Sequence, residues 1–318
     1  MKVLANDGID AKGKLALENL GFAVITEKVN QVNLIDYINS EGVIGILVRS
    51  ATTVRKDVID ACPNLKFIGR GGVGIDNIDA AYAKEKGVVV FNTPASSSQS
   101  VAELVMAFIF ASNRFIFQAG AHMPSSGASE FNNLKKSYGK GIEAHGKVLG
   151  IIGLGRIGQA LAKYAIGCGM EVLFYDRGKE DAKLDLTIAG NNIEVELKVT
   201  PLNELLQKSD FVSIHVPKQT NGNSVIGANE LKQLKKTAVV INTSRGGSIN
   251  EEDLLHALNN GLLRGACLDV FENEPQPKVE LLKHPLIIST PHIGAATAEA
   301  QERIGQEIAA NVKAIMNL

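Results

Sequence analysis

The sequence predicts an α/β protein of two doubly wound parallel-sheet domains. Short apolar runs alternate with amphipathic stretches from Val3 to Phe91, and again from Val148 to Ser289. The turn Gly153-x-Gly155-x-x-Gly158 joins one such run to a helical pattern. The length of 318 residues suits two domains, each able to bury its own core. Strand–helix alternation of this kind implies a parallel sheet with helices on both faces.

In the first part, Val3–Ala5 reads as a strand and Asp10–Leu20 as a helix closed by Gly21. Phe22–Ile25 is a strand, Gln31–Ile38 a helix, Ile44–Val48 a strand and Val54–Ala61 a helix. Phe67–Gly69 is a strand, Asp76–Lys86 a helix stopped by Gly87, and Val88–Phe91 a strand. No glycine fingerprint follows the first strand, so a dinucleotide is not expected in this unit. Asn92-Thr93-Pro94 and Ser96-Ser97-Ser98 mark a loop, a helix start and a domain boundary.

An apolar helix is expected from about Val101 to Phe117. Glu103, Asn113 and Arg114 interrupt it, so a buried or dimer-face helix is favoured over a membrane span. Residues 119–146 are polar, rich in Gly, Ser and Lys, and weakly periodic. They read as a long loop that wraps a partner subunit.

The stretch 147–176 runs strand, glycine turn, helix, strand, acid. Val148–Ile152 is a buried strand, Ile157, Leu161, Ala162 and Ala165 recur at helical spacing, and Met170–Tyr175 is a strand ending in Asp176. Gly153 lets the chain turn, Gly155 lets a pyrophosphate approach the backbone, and Gly158 lets the helix pack closely. The unpartnered N–H groups of the first helical turn and the helix dipole favour a bound phosphate. Asp176 can accept hydrogen bonds from an adenosine ribose and repel a 2′-phosphate, which favours NAD; the adjacent Arg177 works against that preference.

Residues 177–200 are different: Ile193, Val195, Leu197 and Val199 alternate with polar residues, as in a half-buried antiparallel or edge strand. Alternation then resumes with helix Leu202–Gln207, strand Phe211–Val216, helix Glu230–Leu234 and strand Ala238–Asn242. Helix Glu251–Asn259, strand Gly265–Val270, a Pro-rich loop Asn273–Pro277, strand Leu286–Ser289 and a closing helix Thr297–Ile315 complete the chain.

Bulk properties narrow the function. Hydrophobic residues make up 45% and charged residues 21%, and the net charge is −1, so no global field draws in nucleic acid. The early acids of the N-terminus do not fit a secretory signal. Cys62, Cys168 and Cys267 are odd in number and far apart, which points away from disulfides and metal sites and toward a reducing cytoplasm. All three are expected to be buried small hydrophobes.

Three segments follow strands in the second half: Asn242-Thr243-Ser244-Arg245-Gly246-Gly247, Asp269 to Pro275, and Thr290-Pro291-His292-Ile293-Gly294. Open α/β sheets bind ligands at such strand ends. A guanidinium grips a carboxylate in a bidentate way, an imidazole moves a proton, and a carboxylate orients the imidazole and favours its charged form.

Gly153–Gly158, Asn242–Gly247, Asp269–Pro275 and Pro291–Gly294 resemble the D-2-hydroxyacid dehydrogenase family. The stretches 48–52, 69–79 and 292–297 resemble its phosphoglycerate dehydrogenase branch. The resemblance runs through nearly the whole chain. It implies a Rossmann nucleotide-binding domain, residues 94–288, inserted in a flavodoxin-like substrate domain of residues 1–93 and 289–318, with the active site in the cleft between them. It also implies a homodimer built through the nucleotide domain. The chain stops at Leu318, so the C-terminal regulatory domain of longer members, and serine feedback through it, are not expected. The segment between Asp176 and Asp210 looks longer than is usual for the family.

Carried over by residue, the resemblance makes Arg245 the group that holds the substrate carboxylate and keto oxygen, His292 the acid–base residue, and Glu274 its paired acid. Asp269 stands near the nicotinamide end. Gly153, Gly155, Arg156, Ile157 and Gly158 lie at the pyrophosphate turn. Val216, Pro217, Thr243, Ser244 and Gly294 join Asp176 around the cofactor, beside Arg245 and His292. Gly72 and Val73 offer N–H groups to the substrate carboxylate. A substrate phosphate needs fixed cations: Arg49 with Ser50 first, Arg70 second, and Lys136 with Lys135 from either subunit. The other histidines, His122, His145, His215, His256 and His284, are expected at the surface or in indirect roles. The implied reaction is NAD-dependent oxidation of 3-phospho-D-glycerate, a small molecule, with no metal, nucleic acid or membrane involved. Two other readings stay open: a hydroxypyruvate or glyoxylate reductase or D-lactate dehydrogenase, and an NAD-sensing corepressor on the same fold.

Overall fold

The computed structural model describes residues 1–219 and 222–318. Two compact units emerge, Met1–Ser100 with Ala295–Leu318, and Val101–Gly294. These boundaries differ from 93/94 and 288/289 for identifiable reasons. The Ser96 carbonyl accepts from Arg303 Nε at 3.0 Å, and the Ser100 and Thr297 hydroxyls pair at 2.8 Å, so residues 94–100 stay with the first unit. The Ile293 and Gly294 amides bond to Asp269, which keeps that stretch in the second.

The first unit opens with β1 (Lys2–Ala5) and α1 (Ala11–Asn19), whose Asp10 cap accepts from the Lys12 amide at 2.8 Å. Next come β2 (Ala23–Ile25), a 3₁₀ turn Gln31–Asn33, and α2 (Leu34–Glu41), which closes on left-handed Gly42. Then follow β3 (Val43–Val48), α3 (Lys56–Ala61), β4 (Phe67–Arg70), α4 (Ala80–Glu85) and β5 (Val89–Asn92). The five strands are parallel in the order β2-β1-β3-β4-β5, the flavodoxin-like doubly wound order.

Two helices follow, α5 (Ser98–Arg114) and α6 (Ile116–Tyr138), separated by left-handed Phe115. The loop expected over residues 119–146 is therefore corrected: most of it is α6, with Pro124 inside it and non-helical backbone at Glu130. Of its residues only Gly127 is buried, so the helix has no core-facing stripe for periodicity to register. No single helix among the described residues is long and apolar enough to cross a membrane; α5 and α6 meet that test only jointly and are bent by 58°.

The second unit continues with β6 (Val148–Ile152), α7 (Arg156–Gly167) and β7 (Glu171–Tyr175). An antiparallel hairpin, β8 (Ala182–Ile188) and β9 (Asn191–Leu197), comes next. The alternation from Ile193 to Val199 thus divides. Ile193–Leu197 lies in the hairpin, while Val199 makes one parallel bridge to Phe174. Leu184, Leu186 and Leu197 face inward and join the core beside α7. The chain then forms α8 (Leu202–Lys208), β10 (Phe211–Ile214), α9 (Ala228–Leu231), β11 (Val239–Asn242), α10 (Glu251–Asn259), β12 (Gly265–Leu268), α11 (Val279–Lys283) and β13 (Ile287–Ser289). The six-stranded parallel order is β13-β12-β11-β10-β6-β7. With the Val199 bridge standing for a third strand, this is the Rossmann order, and it reverses between β6 and β10.

Thr297 caps α12 (Ala298–Met316) by accepting from the Ala300 amide at 3.1 Å, and this helix returns to the first unit. It crosses α1 where Gly13 meets Gly305: a Cβ on Gly305 would stand 2.7 Å from the Gly13 Cα. Gly305→Ala is expected to destabilise the first unit by about 1–3 kcal/mol, the usual cost of overpacking. An unchanged denaturant midpoint would show that the two helices separate freely.

Candidate active site

The dinucleotide turn has the geometry its sequence predicts. Gly153 has φ +97°, and a Cβ there would press on the His215 carbonyl and the Val216 side chain. A Cβ on Gly158 would meet the Gly153 carbonyl oxygen, so α7 can sit this close to β6 only without a side chain at that position. Gly155 faces open space, and the amides of Arg156 and Ile157 begin α7 without intrahelical partners. Asp176 ends β7 with its Oδ2 accepting from the Leu154 amide at 2.9 Å. The sequence gives no warning of Lys179, whose ammonium lies 3.2 Å from Asp176 Oδ2 and donates to the Leu154 carbonyl at 2.6 Å. Arg177 is exposed.

After β10, His215, Val216 and Pro217 lie at the reversal point of the strand order. Of the surface and indirect places expected for His215, the structure excludes the surface: burial pushes it down to about 3, its Nε2 pairs with the Ser213 hydroxyl at 2.8 Å, and its Nδ1 is enclosed without a partner among the described residues. After β11, the Thr243 hydroxyl is likewise enclosed and unpartnered among the described residues. An orphaned hydroxyl after β11, together with an open glycine turn and a helix N-terminus after β6 in the same parallel sheet, fits a bound dinucleotide. The Ser244 hydroxyl, in contrast, is engaged by Asn242 Oδ1 at 2.8 Å. Asn242, which heads that motif without an expected role of its own, also donates to the Arg245 carbonyl at 2.9 Å and so shapes the arginine loop.

Two further loops bring Glu274 and His292 together. Asp269, 1% exposed at the end of β12, accepts from the Thr290 hydroxyl at 2.6 Å and from the Ile293 and Gly294 amides at 2.8 Å. It braces the histidine loop and holds His292 at φ +56°, a region where histidine is over-represented among non-glycine residues. Glu274 Oε2 lies 2.7 Å from His292 Nδ1, and its Oε1 accepts from the Phe271 amide at 2.9 Å. Burial raises the Glu274 pKa, but the His292 bond, the Phe271 amide and the charges of His292 and Arg245 outweigh it and leave the carboxyl below its ordinary value. An ionised carboxylate only accepts, so Nδ1 carries the proton and Nε2 is left as the basic nitrogen.

In the first unit, the loop after β3 carries Arg49 and Ser50. Asp7, a residue with no sequence signal beyond its place after β1, accepts from the amides of Arg49 at 2.6 Å and Thr52 at 3.0 Å. Asn77 donates to the carbonyls of Arg49 at 2.7 Å and Thr52 at 2.6 Å, so the loop is tied from both sides. Burial would raise Asp7, but Lys28, the Thr52 hydroxyl and the two amides hold it below the ordinary carboxylate range. The Arg49 guanidinium is half-buried and makes no side-chain hydrogen bond or ion pair among the described residues. Burial weighs against its charge, with only the field of Asp7 in its favour. Arg70 donates to the Ser50 hydroxyl at 3.3 Å. One expectation is corrected: the Gly72 amide is engaged by buried Thr93 Oγ1 at 2.7 Å, whereas Val73 lies exposed beside it.

Lys135 and Lys136 lie exposed in the last turn of α6. Cys62 and Cys267 are buried as expected, but Cys168 is only partly so.

Residues 106–294 match the family described as D-isomer specific 2-hydroxyacid dehydrogenase, NAD binding domain. The chain is 40% identical over 318 residues to a D-3-phosphoglycerate dehydrogenase of Methanocaldococcus jannaschii, covering 99% of this chain and 57% of that protein. It thus spans little more than half the length of that relative. It is 38% identical over 311 residues to a hydroxypyruvate reductase of Thermotoga maritima, covering 96% of this chain and 95% of that protein. Among solved structures, an NAD-dependent formate dehydrogenase from Staphylococcus aureus in complex with NAD superimposes with TM-score 0.81 at 26% identity, over 100% of this chain and 96% of that one. With the glycine turn, both parallel sheets and the family match in agreement, the chain belongs to the D-isomer-specific 2-hydroxyacid dehydrogenase family.

Proposed function

We propose that this dehydrogenase oxidises 3-phospho-D-glycerate to 3-phosphohydroxypyruvate with NAD, a step that leads to serine, as a cytoplasmic homodimer. The observation that carries the chemistry is the 2.7 Å pair of His292 Nδ1 and Glu274 Oε2. His292 Nε2 takes the C2 hydroxyl proton, and Glu274 stabilises the imidazolium that forms. Arg245 holds the substrate carboxylate and the developing keto oxygen. When bound, NAD supplies the hydride acceptor. The second unit receives it through the Gly153–Gly158 turn, Asp176, Val216, Pro217 and Thr243. Asp269 acts there by fixing the histidine loop.

The first unit is assigned to substrate. The half-buried guanidinium of Arg49 supports a phosphorylated one, because burying a cation without a bonded partner is costly unless an anion joins it. Arg70 and Ser50 support it, and Val73 rather than Gly72 offers an amide to the substrate carboxylate. The homodimer is supported by apolar side chains along α5 and α6: Phe110, Ile116, Phe117, Met123 and Phe131 are 42–57% exposed. Free cysteines accord with a reducing compartment.

A steady-state panel tests the proposal. 3-Phosphoglycerate should support NAD reduction better than D-glycerate or D-lactate, and NAD should outperform NADP. Arg49→Ala should raise KM for 3-phosphoglycerate by about 10–100-fold, the scale of one lost charge-assisted contact. The unphosphorylated acids should change little. Equal losses for both kinds of substrate would remove Arg49 as the phosphate ligand. A second reading, reduction of hydroxypyruvate, is favoured by the full-length similarity to the Thermotoga protein, and a higher kcat/KM for unphosphorylated hydroxypyruvate would establish it. Tight NAD binding with negligible turnover on the whole panel would favour a corepressor instead.

A further inference from the structure

Three acids open α10, and their surroundings differ. Asp253 accepts from the Ala228 amide at 2.9 Å, and Glu252 is exposed and 3.4 Å from Lys278. Glu251 is turned inward and is 4% exposed. Its Oε1 accepts from the Glu272 amide at 2.7 Å, while Glu272 Oε1 accepts from the Glu251 amide at 3.1 Å. Two glutamates thus clasp each other's backbone across 21 residues of sequence. The second oxygen of Glu251 is enclosed without a partner among the described residues. Burial and the neighbouring carboxylates of Glu272 and Glu274 hold Glu251 above its ordinary pKa, against the Glu272 amide and Lys278.

The clasped segment is the one that carries Glu274. The Phe271 amide donates to Glu274 Oε1, and Glu274 Oε2 meets His292. The same segment lies against the arginine loop, since a Cβ on Gly246 would overlap the Phe271 carbonyl and the Glu272 amide. Arg245 and Glu274 come from different loops, and this contact together with the Glu251 clasp sets one against the other.

We propose that Glu251 is a positioning residue for the Arg245, Glu274 and His292 group, acting through its bond to the Glu272 amide. The proposal rests on the dehydrogenase reading of the His292–Glu274 pair. Glu251 touches neither substrate nor cofactor. It fixes the backbone from which Glu274 reaches the imidazole, and catalytic geometry tolerates little error: a displacement of about 1 Å can cost about 10²-fold in rate.

The test compares Glu251→Ala, Glu251→Asp and Glu251→Gln on the best substrate of the panel. Glutamine keeps an oxygen for the Glu272 amide; alanine removes it, and aspartate withdraws it by one methylene. Glu251→Ala should lower kcat about 10–100-fold, with KM for NAD changed by less than about threefold. Glu251→Gln should restore kcat to within about threefold of the parent. Should the alanine variant fail to fold, Glu251→Asp carries the comparison, with an expected kcat loss that glutamine does not share. Unchanged kcat in the folded alanine or aspartate variant, or glutamine as slow as alanine, overturns the inference. An active parent with such results leaves the dehydrogenase reading standing, whereas a parent inactive on every 2-hydroxy acid overturns both.

Discussion

Replacing His292 by alanine should lower kcat by about 10²–10⁴-fold, the span of a lost acid–base group, while NAD still binds. The loop does not depend on the imidazole for its shape. Asp269 holds it through the Thr290 hydroxyl and the amides of Ile293 and Gly294, and none of these bonds involves the His292 side chain. The backbone at His292 is left-handed, with φ +56°, and alanine tolerates that region less well than asparagine. His292→Asn is therefore the companion variant. If both are equally slow and their thermal midpoints stay near the parent, the loss is chemical. Near-normal turnover in either removes His292 from the mechanism.

The second large effect concerns acid stability. His215 is held down to about 3 by burial, against 6.5 in the unfolded chain. Between those values the unfolded chain binds a proton that the folded chain refuses. The contribution is complete above pH 6.5 and is lost as pH falls toward 3. Its upper bound is roughly 4–5 kcal/mol, and partial contact with solvent lowers the realised figure. Denaturant titrations of the parent and His215→Gln at pH 7.5 and 4.5 should differ in their pH sensitivity by about 2 kcal/mol, with the parent losing more. Glu274, Asp7 and Asp210 also lose stabilisation in acid, but both proteins share them and the comparison cancels them. Equal losses would show that His215 titrates like an exposed imidazole. The site has a stake in the outcome, because the His215 carbonyl backs the Gly153 turn.

Both sheets were legible because each strand is a short local run whose burial is written into its composition. The glycine turn was legible because each glycine answers a steric demand that no other residue meets. α6 was not: Gly120, Pro124 and Gly127 weaken its propensity, and its side chains pack against little of their own chain, so no stripe marks it. The first strand of the hairpin was passed over although Leu184 and Leu186 alternate, because charged Lys183 and Asp185 gave the stretch a loop-like composition. Arg245, Glu274 and His292 could be named from short motifs. Asp7 and Glu251 could not, since each works through a backbone group that is brought near only by folding. The same holds for Gly72, whose amide is satisfied by Thr93 from another strand end.

One core layer contains Val3, Leu17, Phe22, Leu47 and Phe67 together with Ile304, Ile308 and Val312 of α12. On a ribosome that makes about 5–20 residues per second, those last side chains arrive roughly 10–40 s after the sheet they cover. Throughout that interval one flank of the nascent sheet lacks its apolar cover, and translation must run past Val312 before that flank can be shut.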